Sequence, residues 1–295
     1  MIIPCYNQAG FLADAIESVL AQTHAAREVI VVDDGSTDAT SVVAGRYPGV
    51  RCLRQPKQGV SAARNAGLRA ATGIYVIFLD ADDRLLPNAL ADGAEYLRAH
   101  PACGFVYGHV RLIEADGSPV PAPEAASDGN GASAYPANDS YIDLLRGNFI
   151  WTPGAVMYRR DVFRSTLAFN GTYTPCDDYE LNCRIARQFA IACHEQVVLE
   201  YRQHSAKMSA DRIEMLRGAI TVWRLQRRTV RGSAAHEAAV LEGIRGVQMD
   251  YGEQVVHGVR TDLRERRWAD ARRGILTLLR YYPGGLRRLL DQRRS

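Results

Sequence analysis

Lysine is nearly absent: Lys57 and Lys207 are the only two, and every other basic residue is arginine. No long apolar run exists either. The longest uninterrupted one, residues 74–79, is far short of the ~20 residues a bilayer-spanning helix needs, so no membrane span is expected. The six cysteines, at positions 5, 52, 103, 176, 183 and 193, include no CxxC pair. That spacing gives no signal for a zinc site or a disulfide framework and reads as a reducing, cytoplasmic interior. No secretory leader is visible, since the chain opens on Met1-Ile2-Ile3-Pro4-Cys5-Tyr6-Asn7. The G-x-G-x-x-G dinucleotide fingerprint is missing after the first apolar run, where Gly10 stands alone, and no P-loop occurs anywhere. A nucleotide, if bound, is therefore held by side chains and not by a glycine cradle.

What is present is a soluble, globular composition: 295 residues, 47% hydrophobic and 23% charged. The net charge of +3 is unevenly spread. Residues 205–295 carry 19 Lys/Arg against 10 Asp/Glu, the remainder 17 against 23. An acidic body thus precedes a basic tail.

The first hundred residues alternate short apolar runs with helical spacing, the mark of β/α units on a parallel sheet. Strands are expected ending at Ile3 and over 28–32, 50–53, 74–79 and 104–113. Helices are expected over 10–22, 38–46, 61–71 (with Ser61 as N-cap) and from Pro87 to His100. Residues 114–138, rich in Pro, Gly, Ala and Ser, read as a surface loop. A helix at 139–147, a strand at 154–159, a helix at 177–189 and a strand at 191–201 follow. Apolar stripes beginning at Ile213, Val240 and Trp268 then predict packed helices over 205–295.

In an open parallel sheet, ligands bind beyond the C-terminal strand ends. Here the first strand ends in Pro4-Cys5-Tyr6-Asn7, the second in Asp33-Asp34-Gly35-Ser36-Thr37-Asp38 and the fourth in Asp80-Ala81-Asp82-Asp83. A single Asp at such a place can be a helix cap, which is the reading for Asp38, and Asp83 reads as a helix or turn cap. Four or five carboxylates at one edge repel each other, and a hard divalent cation held by oxygen relieves that repulsion.

These segments, with Gly59-Val60-Ser61-Ala62-Ala63-Arg64-Asn65-Ala66-Gly67 between the second and third, closely resemble the family 2 glycosyltransferases of GT-A fold. Cys176-Asp177-Asp178-Tyr179-Glu180-Leu181 looks like that family's Glu-Asp segment, with Asp177 in place of the usual Glu. The stretch from Tyr201 to Ser209 resembles the end of its acceptor half. The resemblance covers about 1–210. It departs at the start, where Met1 stands in place of several residues the family has before Ile-Ile-Pro, so a shortened first strand or an upstream start is expected.

The resemblance implies an α/β GT-A fold: a Rossmann-like mixed sheet with helices on both faces, here followed by a helical tail. It implies a nucleotide-sugar half (1–113), an acceptor half of the same domain (114–204) and a C-terminal helical region (205–295). Asp82 is then the metal ligand, with His204 as a second one, and Mn²⁺ or Mg²⁺ the cofactor. Pro4, Tyr6, Asn7, Asp33, Asp34, Arg64, Asp80 and Ala81 line the donor, Asp80 at the ribose. Asp178 is the general base, although acidic residues in a first helical turn are also favoured by the helix dipole. Trp151 is an acceptor platform or a core residue.

The implied function is metal-dependent, inverting transfer of a sugar from a nucleoside diphosphate to a hydroxyl of a glycan or lipid-linked acceptor, in bacterial cell-surface polysaccharide synthesis. The alternatives are a sugar-phosphate nucleotidyltransferase, disfavoured by the missing glycine-rich loop, and a non-catalytic sugar-nucleotide-binding protein. The setting is cytoplasmic. The arginines around the stripe at 268–282 read as a solvated face and are also compatible with an anionic inner-membrane leaflet. No nucleic-acid module accompanies the charge.

Overall fold

The computed structural model of the chain describes residues 1–26, 28–120, 140–205 and 207–291. They form two compact units. The first comprises 1–140, 149–172 and 177–204, and the second 141–148, 173–176 and 205–295. Most of the stretch expected to be a loop, 121–138, lies outside the described residues. Its start turns at Gly117 and bridges Ile113 to Pro119.

The first unit opens with β1 (Ile2–Cys5), α1 (Ala9–Leu20), β2 (Val29–Asp33), α2 (Thr40–Ala44), β3 (Val50–Arg54) and α3 (Val60–Ala70). The three strands are parallel in the order β1-β2-β3, with Cys5 beside Asp33 and Asp33 beside Arg54. β1 and β2 are buried along their whole length, which is why both read as continuous apolar runs. β3 is the edge and carries Arg51 and Arg54 outward, charges that discourage pairing with another chain. α1 buries Leu12, Ala15, Ile16 and Val19, one stripe at helical spacing.

Next come β4 (Tyr75–Val76), β5 (Arg84–Leu85), α4 (Ala89–Ala99) and β6 (Cys103–Ile113). α5 (Ser140–Arg146) lies almost wholly in the second unit, and β7 (Val156–Arg159), α6 (Val162–Thr166), α7 (Asp177–Ala186) and β8 (Ala190–Arg202) complete the first. The second sheet is mixed, in the order β4-β7-β6-β8-β5. Beyond β4 the chain runs parallel to β1: Ile2 N–H donates to the Ile77 carbonyl (3.0 Å) and Leu79 N–H to the Ile2 carbonyl (2.9 Å). The expected strand at 74–79 is thus regular only over two residues, yet its remainder stitches the two sheets together.

Two expected helix starts are corrected. Ser61 is not the N-cap of α3; Gly59 holds that place at φ 92°, and the Ser61 hydroxyl bonds to Asp177 instead. The helix expected from Pro87 begins two residues later, at Ala89.

Gly67 is where α3 meets the sheet. A Cβ there would lie 2.4 Å from Ile2 Cγ2 and 3.2 Å from Val32 Cγ2. Gly67→Ala should therefore destabilise the protein by about 1–3 kcal/mol. Urea denaturation measures this, and an unchanged midpoint would mean that Ile2 can swing aside.

The second unit contains α8 (Arg212–Thr229), α9 (Ala234–Val247), a π turn at Gln248–Gly252, α10 (Glu253–Arg264), α11 (Trp268–Tyr281) and α12 (Pro283–Asp291). Asp211 caps α8, accepting from the N–H groups of Ile213 and Glu214. Trp223 is buried and donates to the Leu145 carbonyl at 2.8 Å. No helix of the described residues is long and apolar enough to cross a membrane.

Candidate donor and catalytic site

The C-terminal ends of β1 and β2 deliver residues 6–7 and 33–38 to one edge, as the parallel register requires. Asn7 sits at φ 53°, a left-handed conformation that asparagine tolerates. Its Oδ1 accepts from Thr37 N–H (2.8 Å), while its own N–H donates to Ser36 Oγ (3.0 Å). Asp38, expected to cap α2, precedes the N-cap position, which Ala39 holds, but it does bond the first residues of two helices. One carboxylate oxygen takes the N–H and hydroxyl of Thr40 at the start of α2, and the other takes Ala9 N–H at the start of α1.

Asp33, expected to line the donor, is fully buried beneath this edge. Its carboxylate accepts from Ser36 N–H (2.8 Å) and Ser41 Oγ (2.6 Å). Burial opposes its charge, but the bonds from Ser41 and Ser36 prevail and hold its carboxyl below the usual range. In the structure Asp33 shapes its own loop. Asp34 joins that loop to the next: Gln55 Nε2 (2.7 Å), Gln58 N–H (2.9 Å) and Gly59 N–H (2.8 Å) all donate to it. Three bonds leave a carboxylate room for about one more donor.

Gly35 makes the joint possible. It adopts φ 78°, and a Cβ would lie 2.8 Å from the Lys57 backbone nitrogen. Lys57 in turn places its ammonium 3.7 Å from the centre of the Tyr6 ring, which is itself exposed. Lys57 escaped the sequence reading. Its only signal was that one of two lysines follows a strand at the acidic edge.

Pro4 and Ala81, expected to line the donor, are both buried. Asp82 is buried, and its Oδ2 lies 2.9 Å from His204 Nε2. The His204 ring stacks on Phe11 at 4.9 Å between centres. A second clamp fixes the same turn: Arg202, buried, donates from Nε to the Asp82 carbonyl (2.8 Å) and from its backbone N–H to Asp83 (3.0 Å). It also reaches Asp14 on α1 at 2.7 Å. Asp83 thus anchors the end of β8. The converging carboxylate and imidazole of Asp82 and His204 form a donor set that fits a divalent cation, and the nitrogen favours Mn²⁺ over Mg²⁺.

Arg64 ties this edge to α7. Its guanidinium bonds Asp80 (2.8 Å) and Asp177 (3.2 Å), and Ser61 Oγ also donates to Asp177 (2.6 Å). Burial weakens the guanidinium's charge, but Asp80 and Asp177 more than offset it and push its proton affinity up. Asp177 is thereby buried and fully engaged. Asp178, next to it, is partly buried and accepts from Tyr179 N–H at 2.8 Å. Burial, followed by repulsion from Asp177, raises its carboxyl to about 7. Trp151 is half-exposed and meets Tyr201 edge-on at 5.9 Å, so it is not core.

These loops and their order match known proteins. The sequence model of Glycosyl transferase family 2 matches residues 1–167. An uncharacterized glycosyltransferase of Nostoc sp. PCC 7120 is 37% identical over 169 residues, covering 55% of this chain and 51% of its own length. The uncharacterized glycosyltransferase YibD of Escherichia coli K12 is 45% identical over 92 residues, covering 30% and 27%. The chain thus spans between about a quarter and half the length of these curated relatives. Among solved structures, S. aureus TarS 1–349 in complex with UDP-GlcNAc is similar, with a TM-score of 0.63, 18% identity and coverage of 81% of this chain and 69% of that one. A mannosyltransferase of Pyrobaculum calidifontis in complex with GDP-Man and Mn²⁺ gives a TM-score of 0.58 at 18% identity, covering 95% and 85%. The fold is GT-A, and the chain belongs to glycosyl transferase family 2.

Proposed function

We propose that the protein is an inverting, metal-dependent glycosyltransferase that moves a sugar from a nucleoside diphosphate to an acceptor hydroxyl. The single observation that carries this reading is the Arg64 bridge, which joins Asp80 of the acidic edge to the Asp177–Asp178 pair. Donor and base are thereby held in one frame. Tyr6, Asn7, Asp34 and Lys57 line the nucleotide, and Asp80 meets the ribose. Asp82 and His204 would hold the cation. When bound, it supplies charge neutralisation for the departing diphosphate. Asp178 takes the acceptor hydroxyl's proton while that oxygen forms a bond to the anomeric carbon. The bond to the diphosphate oxygen breaks on the opposite face, inverting the centre. Asp177 cannot share this work, because Ser61 and Arg64 already occupy it.

Glycans are the acceptors this reading favours. It is supported by a Bacillus subtilis relative, 34% identical over 125 residues, whose name assigns it provisionally to teichuronic acid biosynthesis. The helical unit would rest on an anionic lipid surface. On α11, Trp268, Leu276 and Leu279 stand exposed beside Arg272 and Arg280, and Arg224, Arg227, Arg228 and Arg231 line a cavity of about 490 Å³ together with Glu237. Sedimentation with phosphatidylglycerol vesicles but not with phosphatidylcholine vesicles is the expected outcome, and equal recovery with both would remove the membrane from the reading.

The decisive test of the donor site is thermal stability against UDP-, GDP- and dTDP-sugars, with and without Mn²⁺. At ~100 times its dissociation constant a ligand adds about 2.7 kcal/mol. A shift with one nucleotide that requires Mn²⁺ is expected, and no shift with any of them would sink the reading. Lys57→Ala should weaken the responding nucleotide about fivefold, the ~1 kcal/mol of one partly exposed charge, in the same titration.

A further inference from the structure

At the bulge between β6 and β8, three side chains of different chemistry converge. Tyr107 pairs with Cys193 and His109 with Val197, so two steps along β6 face four along β8. The surplus residues of β8 form a bulge in which Glu195 takes φ 60°. A left-handed backbone is unfavourable for glutamate and persists only where its surroundings impose it. Bulges of this kind re-aim side chains.

Here the result is a compact triad. His109 Nε2 lies 3.0 Å from Glu195 Oε2 and 3.9 Å from Cys193 Sγ, and the three atoms all fall within 4.8 Å of one another. The Cys193 thiol also has Tyr107 and Glu195 as hydrogen-bond partners. His109 and Cys193 are partly buried, and Glu195 is exposed.

We propose that His109, Cys193 and Glu195 form a second metal site, separate from the Asp82–His204 pair, for a borderline divalent cation of the Zn²⁺ class. The distances fit that ion. Tetrahedral zinc with bonds of about 2.0–2.1 Å to nitrogen and oxygen and about 2.3 Å to sulfur sets nitrogen and oxygen about 3.3 Å apart, and nitrogen and sulfur about 3.6 Å apart. Shifts of a few tenths of an ångström bring the two distances from His109 Nε2 there. Thiolate and imidazole select against Mg²⁺ and Ca²⁺. Three protein ligands leave a fourth position for water on the exposed side. Binding converts the thiol to a thiolate and releases its proton to solvent. Cys193 and Arg202 pair with Tyr107 and Ile113, six residues apart on β6, which at roughly 3.3 Å per residue is about 20 Å of strand. The two metal sites can therefore be loaded independently.

Cobalt(II) distinguishes them, because only a thiolate ligand gives an intense near-ultraviolet sulfur-to-cobalt charge-transfer band. Protein stripped with EDTA and titrated with Co²⁺ should show that band saturating at one equivalent, and added Zn²⁺ should abolish it. Cys193→Ser and His109→Gln should each lose the band while keeping the wild-type melting temperature of metal-free protein. The Mn²⁺-dependent shift with nucleotide sugar should be unchanged in Cys193→Ser, which separates this site from the donor site. Absence of the band in wild-type protein overturns the proposal. So does a band that survives in Cys193→Ser, which would assign it to another of the six cysteines.

Discussion

Replacing Asp178 by asparagine is expected to lower kcat by about 10²–10⁴-fold, the usual contribution of a positioned general base. The Mn²⁺-dependent stabilisation by nucleotide sugar should be retained, since Asp178 does not line the donor. If Asp178→Asn kept most of its turnover with a competent acceptor, the base assignment would be wrong. The wild-type enzyme should also lose kcat/KM tenfold per pH unit below about 7, because burial and Asp177 raise this carboxyl to that value and protonation removes the base. The same raised affinity has a stability consequence of opposite sense. The folded state holds a proton that the unfolded chain releases near its ordinary 3.8. The contribution of this one carboxyl to stability is therefore intact below pH 4, declines as pH rises towards 7, and levels above it. Asp178→Asn, neutral throughout, should gain melting temperature over the wild type across that window and hold the gain at pH 8. A more stable but inactive variant is the expected signature of a strained catalytic group.

Asp82→Ala should abolish the Mn²⁺-dependent donor shift and reduce transfer by on the order of 10²–10³-fold or more, as loss of a preorganised electrostatic group does. The effect can be read as loss of a ligand. The Arg202 clamp bonds the Asp82 carbonyl and the Asp83 carboxylate, and neither is removed by the substitution. His204→Ala should fall between wild type and Asp82→Ala, because the carboxylate remains. A full Mn²⁺-dependent shift in Asp82→Ala would show that the cation sits elsewhere.

Much of this site was legible in the sequence because its parts are local. Asp80 and Asp82 follow a buried apolar run, Asp33 and Asp34 follow another, and the parallel β/α rhythm puts both at one edge. Position along the chain does not reveal engagement, however. Asp33 and Asp34 look alike in sequence and both are buried, yet Asp33 bonds within its own loop and helix while Asp34 bonds the loop after β3. Ser61 has the side chain of an N-cap but lies inside α3, and its hydroxyl bonds Asp177, 116 residues away. The Arg64 bridge and the Lys57–Tyr6 contact are likewise long-range or cross-loop pairings with no periodic trace. β5 is only two residues long and depends on pairing with β8, so no window of local sequence predicts it. The bulge at Glu195 was hidden for the same reason, since its extra residues are extra only relative to β6.

The Arg202 clamp bears on how the chain folds. Its grip on the turn at Asp82 and Asp83 spans some 120 residues of chain, and it closes onto Asp14 as well. Synthesis delivers β1 to β3 and the acidic turn long before β8 leaves the ribosome. Until then the turn lacks the arginine that fixes its shape and the histidine that bonds Asp82. The nascent chain thus carries every acidic residue of this edge before β8 is there to fix the turn at Asp82 and Asp83.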